Sequence, residues 1–221
     1  MDINTDMQTY YFNLLASDEK EKAGKFYFEK DRRKYIAARG ILRTLSGRYL
    51  NEDPKQVQFT YGEYGKPAYL QHPNLKFNIS HSGEIVVLGF VHNYEFGIDV
   101  EFIKSNFDVL DIAQNFFSSK EIAALEKLPE TLQNHAFFRC WTRKESFIKA
   151  KGSGLSFPLD KFTVSIDSDT EATLLETVWD SSEKKEWNVF SFVPAKGYLA
   201  ALVARGDVRA VTYKNWDTII S

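Results

Sequence analysis

The run Phe96-Gly97-Ile98-Asp99-Val100-Glu101-Phe102 leaves this chain little freedom. Its alternation of apolar and acidic positions has the two-residue period of a β-strand, on which residues two apart share a face. Asp99 and Glu101 therefore stand side by side on one face. Ile98, Val100 and Phe102 point the other way, into a core. Any fold that accepts this strand must bury one side and tolerate two neighbouring carboxylates on the other.

The remaining segments can be placed around it. Residues 9–15, Thr-Tyr-Tyr-Phe-Asn-Leu-Leu, are rich in aromatics and read as an opening strand. A long helix follows, with Ala38, Ile41, Leu42, Leu45 and Tyr49 on one buried stripe. It stops at Asn51-Glu52-Asp53-Pro54, because proline disfavours helix in the residue before it. Strands are expected at Val57–Tyr61, Leu75–Ser80, Ile85–Val91 and Phe96–Phe102. After Lys104-Ser105-Asn106 the pattern turns helical, first over Val109–Phe117 and then from Ser118-Ser119-Lys120-Glu121, a capping box. A third helix runs from about Glu130 to Lys151 and ends at Gly152. Strands return at Phe162–Ile166, Ala172–Val178, Trp187–Val193, Tyr198–Ala204 and Val208–Tyr213. The order gives an α+β protein with mostly antiparallel pairing. Its seam falls near 104–106, dividing the chain into halves 1–105 and 106–221.

Composition excludes several classes. With 43% hydrophobic residues, 221 positions hold ample material for a core. A net charge of −2 supplies no global basic field for nucleic acid. The bases that do cluster, from Lys20 to Arg48, are interleaved with Glu19, Glu21, Glu29 and Asp31; they make either a solvated helix face or a surface for phosphate or an acidic partner. One cysteine, Cys140, permits no internal disulfide and suits a reducing compartment. The acidic, polar start is unlike a signal peptide, and no apolar run approaches a membrane span. A cytoplasmic protein is expected.

Chemistry concentrates in a few places. Two carboxylates on one strand face repel unless a cation neutralises them, and Mg²⁺ with its preference for oxygen does so; a solvated polar face is the alternative. In Trp141-Thr142-Arg143-Lys144-Glu145-Ser146-Phe147-Ile148-Lys149, Glu145 and Lys149 share one helical face. They form either an exposed ion pair or a third metal ligand with a phosphate-binding lysine, while Lys144 is free to extend to solvent. Phe77-Asn78-Ile79-Ser80-His81-Ser82-Gly83 runs from a strand into a polar turn able to meet phosphate. A hydrolase triad is not supported, since no G-x-S-x-G elbow is present. Gly65-Lys66-Pro67 is a loop where backbone and cation can meet a ligand, or merely a turn. Glu121 has a structural use in its capping box.

Five of these segments occur in the order and spacing of one family. Gly65-Lys66-Pro67, Phe77 to Ser82, Gly97 to Glu101, Phe116-Phe117-Ser118 with Glu121, and Trp141 to Lys149 together resemble the Sfp-type 4′-phosphopantetheinyl transferases. The basic stretch Lys30 to Arg43 extends the likeness more loosely. The resemblance implies two similar α/β halves with antiparallel sheets about a pseudo-twofold axis, with coenzyme A in the cleft between them. It implies transfer of the 4′-phosphopantetheine arm from coenzyme A to a serine of an apo acyl or peptidyl carrier protein, with release of 3′,5′-ADP. Such carriers serve fatty-acid, polyketide or nonribosomal-peptide assembly. Asp99, Glu101 and Glu145 would bind Mg²⁺, and Lys144 and Lys149 would contact phosphates. Ser80 and His81 would hold the 3′-phosphate end, and Gly65, Lys66 and Pro67 would border the adenine. Lys30 and Arg39 would add nucleotide contacts, and Glu121 or a metal-bound water would take the serine proton. Neither nucleic acid nor membrane is implied, and a monomer suffices. A catalytically silent coenzyme A or carrier-binding module is the competing expectation. A nuclease fits less well, for want of a basic excess and of Glu-x-Lys on the acidic strand.

Overall fold

The computed structural model describes residues 5–105 and 108–216. In chain order the helices and strands are α1 (Thr5–Leu14), α2 (Ser17–Gly24), α3 (Glu29–Leu50), β1 (Phe59–Tyr61), β2 (Pro67–Tyr69), β3 (Leu75–Ser82), β4 (Ile85–His92) and β5 (Phe96–Phe102). There follow α4 (Val109–Phe116), α5 (Ser119–Glu126), α6 (Glu130–Lys151), β6 (Phe162–Val164), β7 (Leu174–Thr177), β8 (Trp187–Phe192) and β9 (Tyr198–Arg205). The described sheets are β1–β2, β3–β4, β5–β9–β8 and β6–β7, every pair antiparallel. The fold is α+β, as the pattern of elements requires.

The opening segment departs from expectation. Residues 9–15 lie largely within helix α1, not a strand. Tyr11, Leu14 and Leu15 are its buried positions, at three- and four-residue spacing, and they meet Ile36, Ala37, Ile41 and Leu45 of α3. Aromatic content suggested a strand, but burial against α3 decided for helix. Helix α2 explains part of the basic stretch. Its Glu19 is buried and pairs with both Arg39 and Arg43 of α3, so those arginines are not a solvated face. The stripe on α3 ends before Tyr49, which is 53% exposed and packs on Phe90.

Strand ends also shift. The expected strand Val57–Tyr61 shortens to β1, although Val57 is still buried, and β2 pairs with it unannounced. Ala172–Val178 contracts to β7, and Val208–Tyr213 forms no regular structure. Phe102 is 40% exposed and packs on Tyr198, so the core-facing side of β5 ends at Val100.

Helix α6 ends as its sequence indicates, with Gly152 at φ +70°, a left-handed cap that glycine accepts without strain. Its other contact is more consequential. Strand β5 lies directly against α6, and Gly97 makes this possible: a β-carbon there would collide with Ser146 O and Ala150 N and sit 2.7 Å from Lys149 Cβ. The expected seam falls just beyond β5, with Asn106 outside the described residues. Because β5 takes its ladder partner from β9, a cut at 105 would divide one sheet. No described helix is long and apolar enough to cross a membrane.

Candidate active site

Strand β3 is stitched to β5 by side chains. Asn78 Oδ1 accepts the Ile98 N–H at 2.9 Å, Ser80 Oγ the Val100 N–H at 3.4 Å, and Ser82 Oγ the Phe102 N–H at 3.0 Å. The alternation Asn78-x-Ser80-x-Ser82 places three short polar groups on one face of β3, each opposite an amide that β9 leaves unused. The two serines also donate. Ser80 Oγ reaches Asp99 Oδ1 at 2.8 Å, and Ser82 Oγ reaches Glu101 Oε2 at 2.7 Å. Each hydroxyl thus ties one carboxylate to the backbone amide that follows it, which fixes the acidic face of β5.

Helix α6 supplies the facing wall. Lys149 Nζ lies 2.7 Å from Asp99 Oδ1 and 3.0 Å from Ser80 Oγ, so its partner is on the strand rather than on its own helix. Glu145, one turn earlier, borders the same cleft. This cleft of ≈ 380 Å³ is lined by Ile79, Ser80, His81, Asp99, Glu101, Trp141, Glu145 and Lys149. Asp99 Oδ2 and Glu145 Oε1 are buried there without a hydrogen-bond partner among the described residues. Three acids therefore share the cleft with one lysine.

The cost of this arrangement shows in proton affinity. Burial pushes the Asp99 carboxyl up, against the opposing pull of Lys149 and Ser80. Burial likewise raises Glu101, with Ser82 opposing and the Asp99 charge adding. Glu145 is pushed up to about 7, chiefly by burial and next by the Asp99 charge. These carboxylates are short of positive charge. Among the described residues no three His, Cys, Asp or Glu side chains stand in ready-made ligating geometry. The cation touching Asp99 is the Lys149 ammonium.

Sequence comparison then decides the family. Residues 95–203 match the family described as 4'-phosphopantetheinyl transferase superfamily, and residues 4–92 match 4'-phosphopantetheinyl transferase, N-terminal. The chain is 34% identical over 195 residues to the 4'-phosphopantetheinyl transferase HetI of Nostoc sp., covering 87% of this chain and 79% of that protein. The chain belongs to the 4′-phosphopantetheinyl transferase superfamily. It is also 34% identical over 164 residues to the transferase Sfp of Bacillus subtilis, covering 74% and 72% of the two chains. A solved holo-[acyl-carrier-protein] synthase of Thermotoga maritima aligns over 51% of this transferase and 62% of that chain, with a TM-score of 0.40 and 20% identity, too distant to add to the assignment.

Within the transferase, Ser80, His81, Asp99, Glu101, Glu145 and Lys149 come together in one cleft. Asp99 is 3% exposed and Glu101 half-buried, so this face of β5 is largely enclosed rather than a freely solvated one. Lys144 does not extend to solvent. It is fully enclosed, paired with Glu121 at 2.8 Å, and donates to Leu159 O and Phe162 O at 2.8 and 2.6 Å. Glu121 is 1% exposed. Its Oε2 also accepts the Ser118 N–H and its Oε1 the Val164 N–H, both at 2.8 Å. It borders a separate groove with Lys120 and Thr163, outside the carboxylate cleft. The expected phosphate contact of Lys144 and proton-accepting role of Glu121 are therefore at odds with this geometry, because both groups are spent joining α5, α6 and β6.

The outlying expectations scatter. Arg39 is held by Glu19 and lies over the Phe59 ring. Lys30 is exposed and pairs with Glu84 in the β3–β4 turn. Lys66 turns into the protein, away from the loop surface formed by Gly65 and Pro67. Asn78 and Ser82 take a part in the site that the sequence motif alone does not assign to them. Their i, i+2, i+4 spacing with Ser80 was the available signal.

Proposed function

We propose that this transferase moves the 4′-phosphopantetheine arm of coenzyme A to a serine hydroxyl of an apo acyl or peptidyl carrier protein. The observation that carries the reading is the imbalance of the cleft: among the described residues, two buried carboxylate oxygens lack a partner in a set of three acids with one lysine. Buried carboxylates in that condition fit a hard divalent cation, and Asp99, Glu101 and Glu145 would hold Mg²⁺. When bound, Mg²⁺ would supply charge stabilisation for the pyrophosphate oxygens.

The chain's own residues do the remaining work. Ser80 and Ser82 hold the carboxylates of Asp99 and Glu101 in fixed orientation. Lys149, already at the cleft, offers N–H donors to phosphate oxygens, and Ser80 and His81, which also line it, would meet the 3′-phosphate. The carrier serine oxygen forms a bond to the β-phosphorus of coenzyme A, the bond from that phosphorus to the bridging pyrophosphate oxygen breaks, and 3′,5′-ADP leaves with that oxygen and its electron pair. Positioning and electrostatic stabilisation suffice for such a step, with no covalent enzyme intermediate. The serine proton passes to a group in the cleft or to solvent, since Glu121 is enclosed. Gly65 and Pro67 would border the adenine, and Lys30 at the surface would add a nucleotide contact. The halves 1–105 and 106–221 would flank the substrate in a cytoplasmic monomer. A silent binding module is disfavoured because all three carboxylates are present.

Intact-mass spectrometry of an apo carrier incubated with the protein, coenzyme A and Mg²⁺ tests this, beside an EDTA control. The carrier gains the mass of one phosphopantetheine arm, and chelation abolishes the gain. No gain across fatty-acid, polyketide and peptide carriers, with coenzyme A still bound, supports the silent module instead.

A further inference from the structure

Resemblance placed Lys66 at the edge of the nucleotide, but its ammonium lies elsewhere. Nζ donates to Ala150 O at 3.0 Å and Phe96 O at 3.2 Å, and approaches Glu95 Oε2 at 3.5 Å. Ala150 lies in the last turn of α6, directly after Lys149, and Phe96 opens β5 three residues before Asp99. One ammonium thus binds the ends of both elements that bear the cleft carboxylates. Ala150 O is among the terminal carbonyls that a helix leaves without intrahelical partners, and a cation there is favoured. Lys76 of β3 completes the arrangement by pairing with Glu95.

Two further contacts show how close this region is. At Gly97 no side chain separates β5 from the α6 backbone. At Gly152, the α6 cap, an added β-carbon would stand 3.4 Å from Lys66 Cδ, so the lysine stem lies along the helix end. Burial, with the Lys76 charge second, lowers the Lys66 ammonium to about 8. An amine held at that cost against two carbonyls is serving the fold of the cleft.

We propose that Lys66 is a positioning residue, clamping the end of α6 to the start of β5 and so setting the separation of Glu145 and Lys149 from Asp99 and Glu101. This rests on the reading of the cleft as the transfer site. Small displacements of reacting groups cost rate steeply, so the clamp acts on turnover.

The test compares wild type, Lys66→Met and Lys66→Arg in steady-state transfer with coenzyme A varied, together with backbone amide exchange over residues 148–152. For Lys66→Met, kcat falls about tenfold while KM for coenzyme A stays within about twofold, the pattern of lost transition-state positioning. Exchange at the α6 end accelerates in the same variant. Lys66→Arg, which keeps a charged donor, restores most of both. A raised KM with unchanged kcat overturns the proposal in favour of direct contact with coenzyme A. Lowered thermal stability with unchanged kcat overturns it in favour of a purely structural role. Where the Met variant does not fold, Lys66→Gln is read by the same criteria. Absence of transfer by the wild type refutes the function, while the exchange comparison still decides whether Lys66 clamps α6.

Discussion

Lys144 and Glu145 are neighbours on α6 and serve opposite kinds of site. Lys144 enters a cluster in which every group is answered: its ammonium meets Glu121, Leu159 O and Phe162 O, and Glu121 meets Ser118 N–H and Val164 N–H as well. Glu145 enters a cluster left short, with neither its Oε1 nor Asp99 Oδ2 finding a hydrogen-bond partner among the described residues. Both are buried and both mix acids with bases. Burial of charge therefore does not by itself mark a functional site; what sets this cleft apart is that its unsatisfied atoms are two carboxylate oxygens lining one cavity. A saturated cluster fixes three elements in place, whereas an unsaturated one keeps its capacity for something that arrives later.

The largest effect expected from breaking this contrast is on transfer. Glu145→Gln lowers the rate of carrier modification by about 10²–10³-fold, measured by intact mass, because on the proposed reading it removes a charge used at the reacting centre. Its stability should move the other way. Glu145 holds its proton to about pH 7 in the fold against 4.5 ordinarily, so the folded state binds more protons between those values and loses stability as pH rises through them. Metal-free Glu145→Gln escapes that loss. Its thermal midpoint exceeds wild type at pH 8, and the advantage disappears below pH 4.5. Equal midpoints at pH 8 would contradict the unsatisfied cluster.

On the saturated side, Glu121→Gln costs about 3–5 kcal/mol in denaturant unfolding, because it leaves Lys144 charged, enclosed and unpaired. The pH profile of transfer keeps its shape. A displaced acidic limb with near-normal stability would instead return Glu121 to the role of base. A smaller loss is expected for Glu121→Gln combined with Lys144→Met than for Glu121→Gln alone, since removing both charges removes the uncompensated one. Strictly additive losses in that double-mutant cycle would deny the pair. The smallest effect belongs to Lys30→Ala at the surface. Its thermal midpoint stays at the wild-type value, and KM for coenzyme A rises if Lys30 contacts the nucleotide; an unchanged KM removes that contact.

Much of this was legible in the chain. The two-residue period at Phe96–Phe102 gave β5 and its paired carboxylates, and the helical spacing before Gly152 gave α6 with Glu145 and Lys149. Local periodicity survives in the fold because backbone geometry imposes it wherever the segment is buried. Opposite outcomes arose where composition stood in for period. The aromatic run 9–15 looked like strand, yet Tyr11 and Leu14 were already at helical spacing.

What sequence by itself determined, then, was the set of reactive groups, the faces that carry them and the family. The tertiary structure decided which of those groups are spent. Arg39 goes to Glu19, Lys144 to Glu121 and Lys66 to Ala150 O and Phe96 O, each across 20 or more residues. Helical spacing puts Lys144 and Lys149 on different faces of α6, but it does not say which of the two finds a saturating partner. Partner choice depends on what the fold brings within about 3 Å, and a hydrogen bond is too short-ranged for sequence spacing to specify it.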